Sequence, residues 1–302
     1  MKTLRTILVV LTALSLTLSL GCKDKGDDKG DEKEKKAAGA IEVPIAPDTA
    51  DGVVKEALKA VAEKNPGKIY FMLPDSYQAD VQGLKDMVVA GLDKETVDNG
   101  LKALGMVIAG MEKHKDKIVE AGLPIPVPKE AVGPAIDGIV RIWTILKGAG
   151  LDTFDGWKGL DVGQFLLANG GAIMTGAMDV TSKTEQGAMI GMVTAMLTAV
   201  TVEVKSSGDA EAVLLVGMDE KKDEMKFVKV EGKWIPEDLQ KGWKEGIDEA
   251  KKGIEEGIKE YQSQKDAMKA MSGAFVAAAT SFEETGDLNA LMGAFGGAVP
   301  AK

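Results

Sequence analysis

Val230-Glu231-Gly232-Lys233-Trp234-Ile235-Pro236 is the stretch that decides how this chain folds. An apolar run, a Glu-Gly pair and a second short run ending in proline read as strand, tight turn, strand and stop. Just upstream, Val200, Val202 and Val204 alternate with Thr201, Glu203 and Lys205, the period-2 pattern of a half-buried strand. Ser207-Gly208-Asp209 turns the chain into Ala212–Gly217, apolar enough for a central strand. Asp219–Asp223 reads as a charged loop and Met225–Val230 as the next strand. The expectation is a small antiparallel meander of three to four strands.

Downstream, Pro236 opens the longest helix. Trp243, Ile247, Ala250, Ile254, Ile258 and Tyr261 recur in steps of three and four, one apolar stripe. Asp248/Lys252 and Glu255/Lys259 have the spacing of helical ion pairs on the other faces. Gly242, Gly246, Gly253 and Gly257 lie beside the stripe, and each costs ~1 kcal/mol of helix propensity against alanine. Close packing against another helix is expected to offset that cost. A membrane GxxxG role is excluded by the surrounding charges. Met268–Phe282 and Leu288–Phe295 read as further helix.

The preceding half of the chain is helical in pattern. After an extended segment, Ala40–Asp48, Asp51 is positioned to cap a helix with Val53, Val54, Ala57, Leu58 and Val61 inward. Asn65-Pro66-Gly67 stops it, and Ile69–Leu73 is a short apolar run. Asp75 and Ser76 read as caps of a second helix, and a third starts near Lys94 and runs on past Glu112–Lys117. Leu123–Pro128 alternates proline and stays extended, a candidate subdivision near 124–128. A fourth helix is expected to begin at Pro134, since proline suits the first helical position. The fold class is therefore α+β, predominantly helical, with a small meander followed by a long C-terminal helix.

Composition removes several functions. With 1 Cys and 1 His in 302 residues, a disulfide framework, a Cys/His zinc site and a CxxC redox centre are excluded. No GxSxG, SxxK, HExxH or P-loop pattern occurs. His114 sits in Lys113-His114-Lys115 and reads as an exposed, solvated side chain. Asp152, Asp155 and Asp161 in a Gly-rich loop read as turn residues and caps, not cation ligands. The sequence thus points to no metal, no cofactor and no catalytic residue. With 47 acidic against 37 basic residues the chain repels nucleic acid, which is not expected as a partner. Met174, Met178, Met189, Met192 and Met196 cluster in two apolar segments, 162–178 and 187–200. Methionine there reads as core filler, with an adaptable pocket for a greasy ligand as the alternative.

The first residues suggest a compartment. Lys2 and Arg5 precede a charge-free run, Ile7–Leu20, too short for a stable membrane span. Leu18-Ser19-Leu20-Gly21-Cys22 looks like a bacterial lipobox, with Ser19 where leucine is usual. Residues 1–21 then read as a lipoprotein signal peptide and Cys22 as the site of acyl attachment. Two or more acyl chains, at ~0.8 kcal/mol per buried methylene, make a stable anchor. An ordinary secretory signal or an uncleaved span is the alternative. Residues 22–40 read as a disordered charged tether in which 6 Lys balance 6 acids over 23–36. Residues 41–302 read as one globular domain. Lys23, in place of an aspartate after the cysteine, favours the periplasmic face of the outer membrane.

Three stretches carry a resemblance: Leu73-Pro74-Asp75-Ser76-Tyr77-Gln78-Ala79-Asp80-Val81, Leu160-Asp161-Val162-Gly163-Gln164-Phe165-Leu166 and Val230–Pro236. Together they resemble an uncharacterised family of secreted or lipid-anchored bacterial proteins. The Gly-x-Trp-x-Pro strand pair is also distantly similar to the end of NTF2-like lipoprotein domains. The resemblance implies a lipid-anchored envelope protein and no established activity or catalytic residue. The functional expectation is a non-catalytic periplasmic binding or interaction module, its partner an envelope protein. A carrier of an apolar ligand such as a lipid is the alternative.

Overall fold

The computed structural model describes residues 42–121, 128–181, 189, 192, 196–197, 199–218, 220–287 and 293. Cys22, the tether and the proline run up to Val127 lie outside them. The architecture is α+β and helix-dominated, as the pattern implies. Its helices are α1 Ala50–Ala62, α2 Pro66–Met72, α3 Asp75–Gly91, α4 Lys94–Lys113, α5 Lys115–Ala121, α6 Lys129–Gly148, α7 Phe154–Lys158 and α8 Val162–Thr181. Four strands follow, β1 Thr201–Ser207, β2 Glu211–Met218, β3 Lys221–Val230 and β4 Lys233–Pro236, and then α9, Glu237–Thr285.

The sheet is an antiparallel meander in the order β1-β2-β3-β4. Ala212, Leu214 and Val216 of the central β2 are buried and meet Phe227, Met225 and Val202 across the ladders. With Trp234 they form one core, against Ala50 and Val53 of α1 and Met72 of α2. Glu231 and Gly232 both have positive φ, 51° and 79°, which closes the β3–β4 hairpin in two residues. The Trp234 ring donates to the Asp48 carbonyl at 2.8 Å and holds the leading segment on the sheet. The 219–223 stretch is not wholly loop: β3 begins at Lys221, pairing with Met218. Lys222 and Glu224 of β3 stand on the sheet's outer face, where Lys222 bonds Glu203 and Lys205 bonds Glu224.

α9 spans 49 residues, about 73 Å at 1.5 Å per residue. The Trp243-to-Tyr261 stripe is its inward face, with Ile247 buried and Ile258 against Gly91 of α3. The far end meets a second core, in which Phe282 packs with Ile118, Val132 and Ile136. Between the two ends, Lys265 pairs with Asp93 at 2.8 Å and Lys269 with Glu95 at 3.0 Å.

Several local expectations are corrected. Thr49, not Asp51, caps α1, its hydroxyl accepting the Gly52 amide. Asp51 instead pairs with Lys55 at 2.7 Å. Ile69–Met72 of the short apolar run belong to α2, with Leu73 as its C-cap, because Asn65 caps a new helix soon after the previous one stops. Asp75 and Ser76 do not cap α3; Pro74 holds that position, without a side-chain bond. Pro134 is inside α6, which starts five residues earlier at Lys129. Its missing N–H leaves the carbonyl of Glu130 without its helical partner, and Glu130 is exposed, so water can serve it. The ion pairs described along α9 are Lys241–Glu237 at 2.8 Å, Lys252–Glu256 at 3.9 Å and Lys244–Asp248.

The packing expected of Gly242, Gly246, Gly253 and Gly257 is not made by the described residues. None of these lies within 4 Å of where their side chains would start. Close glycine packing occurs elsewhere. A methyl on Gly67 of α2 would lie 2.3 Å from the Leu167 Cα of α8, and one on Gly138 of α6 would lie 2.5 Å from the Gly176 carbonyl.

Candidate functional site

The three stretches singled out in the sequence meet at one joint, centred on the α2–α3 corner. Pro74 offers no side-chain oxygen to the first amides of α3, and Glu231 at the β-hairpin tip takes that role. Its carboxylate accepts the Ser76 amide at 3.0 Å. A carboxylate at a helix N-terminus is favoured by the unpaired N–H groups and the helix dipole. Bonds from Ser76 hold the Glu231 carboxyl below its ordinary range, against weaker opposing effects of desolvation and of Asp75. Lys233, two residues on, reaches the opposite side of the corner. Its ammonium donates to the carbonyls of Leu73 at 2.8 Å and Phe71 at 3.3 Å, where α2 ends, and pairs with Asp75 at 2.7 Å. One hairpin tip therefore satisfies the end of α2 and the start of α3 together.

The other arms of the joint are aromatic and amide groups. Tyr77 and Trp243 stack with centroids 4.1 Å apart and planes 5° from parallel. The Trp243 ring also donates to Asp80 at 2.9 Å. Burial, then the charges of Glu231 and Asp80, push the Tyr77 hydroxyl up. Gln82 holds the 160–162 loop at two points, donating to the Leu160 carbonyl at 2.9 Å and accepting the Val162 amide at 3.1 Å. Tyr70 donates to the Gln78 carbonyl at 3.0 Å and packs on Gly163. Burial, helped by the Asp161 charge, pushes the Tyr70 hydroxyl up to about 12.

This geometry aligns helices and strand ends. The polar groups just described are engaged with one another or with backbone, so they serve position. Glu231, Lys233, Asp80 and Gln82 lie within or beside the quoted motifs, but their roles depend on contacts at separations of up to 163 residues. The one local signal was the Glu-Gly pair of the hairpin.

His114 is not the exposed residue its lysine neighbours suggest. It is only 9% exposed, at the C-cap of α4 and beneath the end of α9. Its Nε2 lies 3.0 Å from the Glu283 carbonyl. A carbonyl only accepts, so Nε2 carries the proton. Gly286 closes over the ring at φ 74°, where a methyl would lie 2.7 Å from the His114 Cγ. His114 is thus a joint residue at the far end of α9.

Two of the loop aspartates act as a cap and as an ion-pair partner. Asp161 accepts the Gln164 amide at 2.9 Å, and Asp155 pairs with Lys94 at 2.6 Å. Among the described residues no group of three His, Cys, Asp or Glu side chains converges to hold a metal ion.

The methionines divide between two environments. Met174 and Met178 are half-buried on α8. Met189, Met192 and Met196 occupy helical positions and are 61%, 60% and 49% exposed, so core filling does not describe them. Next to Met196, an open groove of about 310 Å³ is walled by Leu58, Ala62, Leu197, Val200 and Val202, with Lys55 and Lys59 at its rim. Lys55 is paired with Asp51, and Lys59 lies 3.7 Å from Glu56. A second, wider depression of about 570 Å³ lies on α9 and is lined by charged residues, Lys241 to Lys252. Among the described residues no helix is long and apolar enough to cross a membrane. Comparison of the chain with protein families, with curated proteins and with solved structures finds no match.

Proposed function

We propose that this chain is a lipid-anchored, non-catalytic interaction module of the bacterial envelope, held by Cys22 on the periplasmic face of the outer membrane. The observation that carries the reading is the order of its first 40 residues. A short charged start and an uncharged run end at Gly21-Cys22, where the only cysteine stands, and a charge-balanced spacer follows. The joint at the α2–α3 corner fits the reading, since its polar groups are used in building a rigid body. The reading is tested by pull-down from detergent-solubilised envelope with the anchored protein as bait. One enriched envelope partner supports it; the absence of any enriched partner counts against it.

A second reading, carriage of an apolar ligand, is favoured by the apolar groove walled by Leu197, the chain neighbour of exposed Met196. Native mass spectrometry of the purified protein separates the two. Co-purified lipid bound in a fixed ratio supports a carrier, and a bare mass in repeated preparations removes it.

A further inference from the structure

We infer that β1 is a self-docking edge: two copies of this chain pair their β1 strands antiparallel about a two-fold axis at Val204 and join their sheets into one. The inference goes beyond the anchored reading and does not depend on acylation of Cys22. β1 ends the strand order, so among the described residues no strand takes the hydrogen-bonding groups on its free side. Of its seven residues only Val202 is half-buried, and the rest are exposed. An edge of that kind is a template for a further strand. Val204 stands opposite the buried Leu214 of β2, on the core face of the sheet, yet it is 51% exposed. An apolar side chain on a core face is thus left uncovered on one side.

The strand's own sequence chooses the occupant. Directly opposite residues of an antiparallel pair share a face, so a two-fold axis normal to the sheet falls at a residue and not between two. Val204 is the middle residue of Thr201–Ser207, so an axis there pairs the strand along its whole length. Glu203 then stands opposite Lys205 of the second copy, and Lys205 opposite its Glu203. Both lie on the outer face, where Glu203 bonds Lys222 and Lys205 bonds Glu224. The pairing extends these bonds into a row of alternating charge across the junction: Lys222, Glu203, Lys205, Glu224. The two Val204 side chains meet on the core face and cover each other. Val202 meets Ser206 and Thr201 meets Ser207, with no charges opposed. Shifting the axis by one residue sets Glu203 against Glu203 or Lys205 against Lys205, and like charges directly opposite are destabilising. A lysine and a bulge usually keep other strands off an edge. Here the bulge between Val204 and Ser206 leaves Lys205 on the face of Glu203, and the strand itself carries the counter-charge. A single-strand edge contact is smaller than a standard interface, so the dimer is weak and reversible.

The test is sedimentation velocity of the full-length chain in density-matched detergent over a concentration series. We expect a reversible monomer–dimer equilibrium in the wild type. Glu203→Lys alone, or Lys205→Glu alone, sets like charges opposite each other at two places and should weaken the dimer at least ~10-fold. An equal mixture of the two variants restores opposite charge at both places and should recover association as a heterodimer. A second readout leaves the charges in place. Val204→Cys should form a disulfide-linked dimer under mild oxidation, because directly opposed residues lie within disulfide range. Its yield should clearly exceed that of the wild type and of Lys226→Cys, an exposed position on β3. A chain that stays monomeric and links no better at 204 than at 226 overturns the inference. A dimer indifferent to both charge reversals puts self-association on another surface and overturns it too. Loss in each variant without recovery on mixing overturns the two-fold register. Should a charge reversal prevent folding, the cysteine comparison decides alone.

Discussion

In α8, Gly163, Gly170 and Gly176 are buried, and each lies against a neighbouring helix or the residue that starts one: Tyr70, Pro66 and Ile142. In α9, Gly242, Gly246, Gly253 and Gly257 have none of the described residues packed against them. The same residue type serves opposite ends. In α8 the missing side chain lets α2 and α6 approach close to the backbone, and dispersion contacts replace what the helix loses in propensity. In α9 no described residue replaces it, and four glycines leave that half of the helix weaker by ~4 kcal/mol than alanines would. That half is held instead by its apolar stripe, by the Tyr77–Trp243 stack and by pairs such as Lys265–Asp93. Glycine content alone does not say which helices touch; the neighbouring surface decides.

The sharpest way to break this contrast is Gly67→Ala. The new methyl meets backbone of Leu167, which cannot move aside alone. A loss of about 2–3 kcal/mol or more in a denaturant titration is expected, and an unchanged midpoint would show that the two helices are not in close contact.

The next test reads the same tight region by pH. Tyr70, beside Gly163, should ionise near 12 when followed by ultraviolet absorbance. Its folded value lies above the ordinary phenol value of about 10. The stability linked to it is therefore complete below about pH 10 and lost as the pH rises toward 12. Tyr70→Phe should remove that alkaline loss, and a Tyr70 that ionises near its ordinary value would place water in the α2–α8 contact.

On the open side the sign reverses. Gly253→Ala should raise stability by about 0.5–1 kcal/mol, since the methyl meets nothing and the helix gains propensity. A destabilised variant would reveal a covering surface on α9.

The smallest effect expected is at the acid end of the pH range. Lys265, then the Thr96 amide, hold the Asp93 carboxyl down at about 2. The contribution is present above the ordinary carboxyl value near 4 and disappears as the pH falls toward 2. Asp93→Asn should flatten the stability profile in that window. Both side chains are partly exposed, so the change should be modest and should shrink in salt.

Much of the fold was legible because its signals are periodic. The stripe from Trp243 to Tyr261 and the alternation in Ala212–Gly217 each report a buried face through spacing alone. What escaped reading depends on distant partners. Gly163 and Gly253 look alike as letters, and only the approach of Tyr70 to the first separates them. His114 between two lysines gives no hint that the end of α9, 169 residues later, covers it. Pro134 resembles a helix start because nothing local shows that Lys129 has already begun one. For the joint, the motifs marked the right segments, but the pairing of Glu231 with Ser76 crosses 155 residues and leaves no spacing signal. The acyl site proposed at Cys22 rests on a sequence pattern alone.

The most direct test of the functional account is metabolic labelling of cells with an alkyne fatty acid, comparing the wild-type chain with Cys22→Ser. The account predicts label and membrane fractionation for the wild type and loss of both in the variant. A wild-type chain that carries no label and shows a free thiol, or that keeps its first 21 residues, would contradict it.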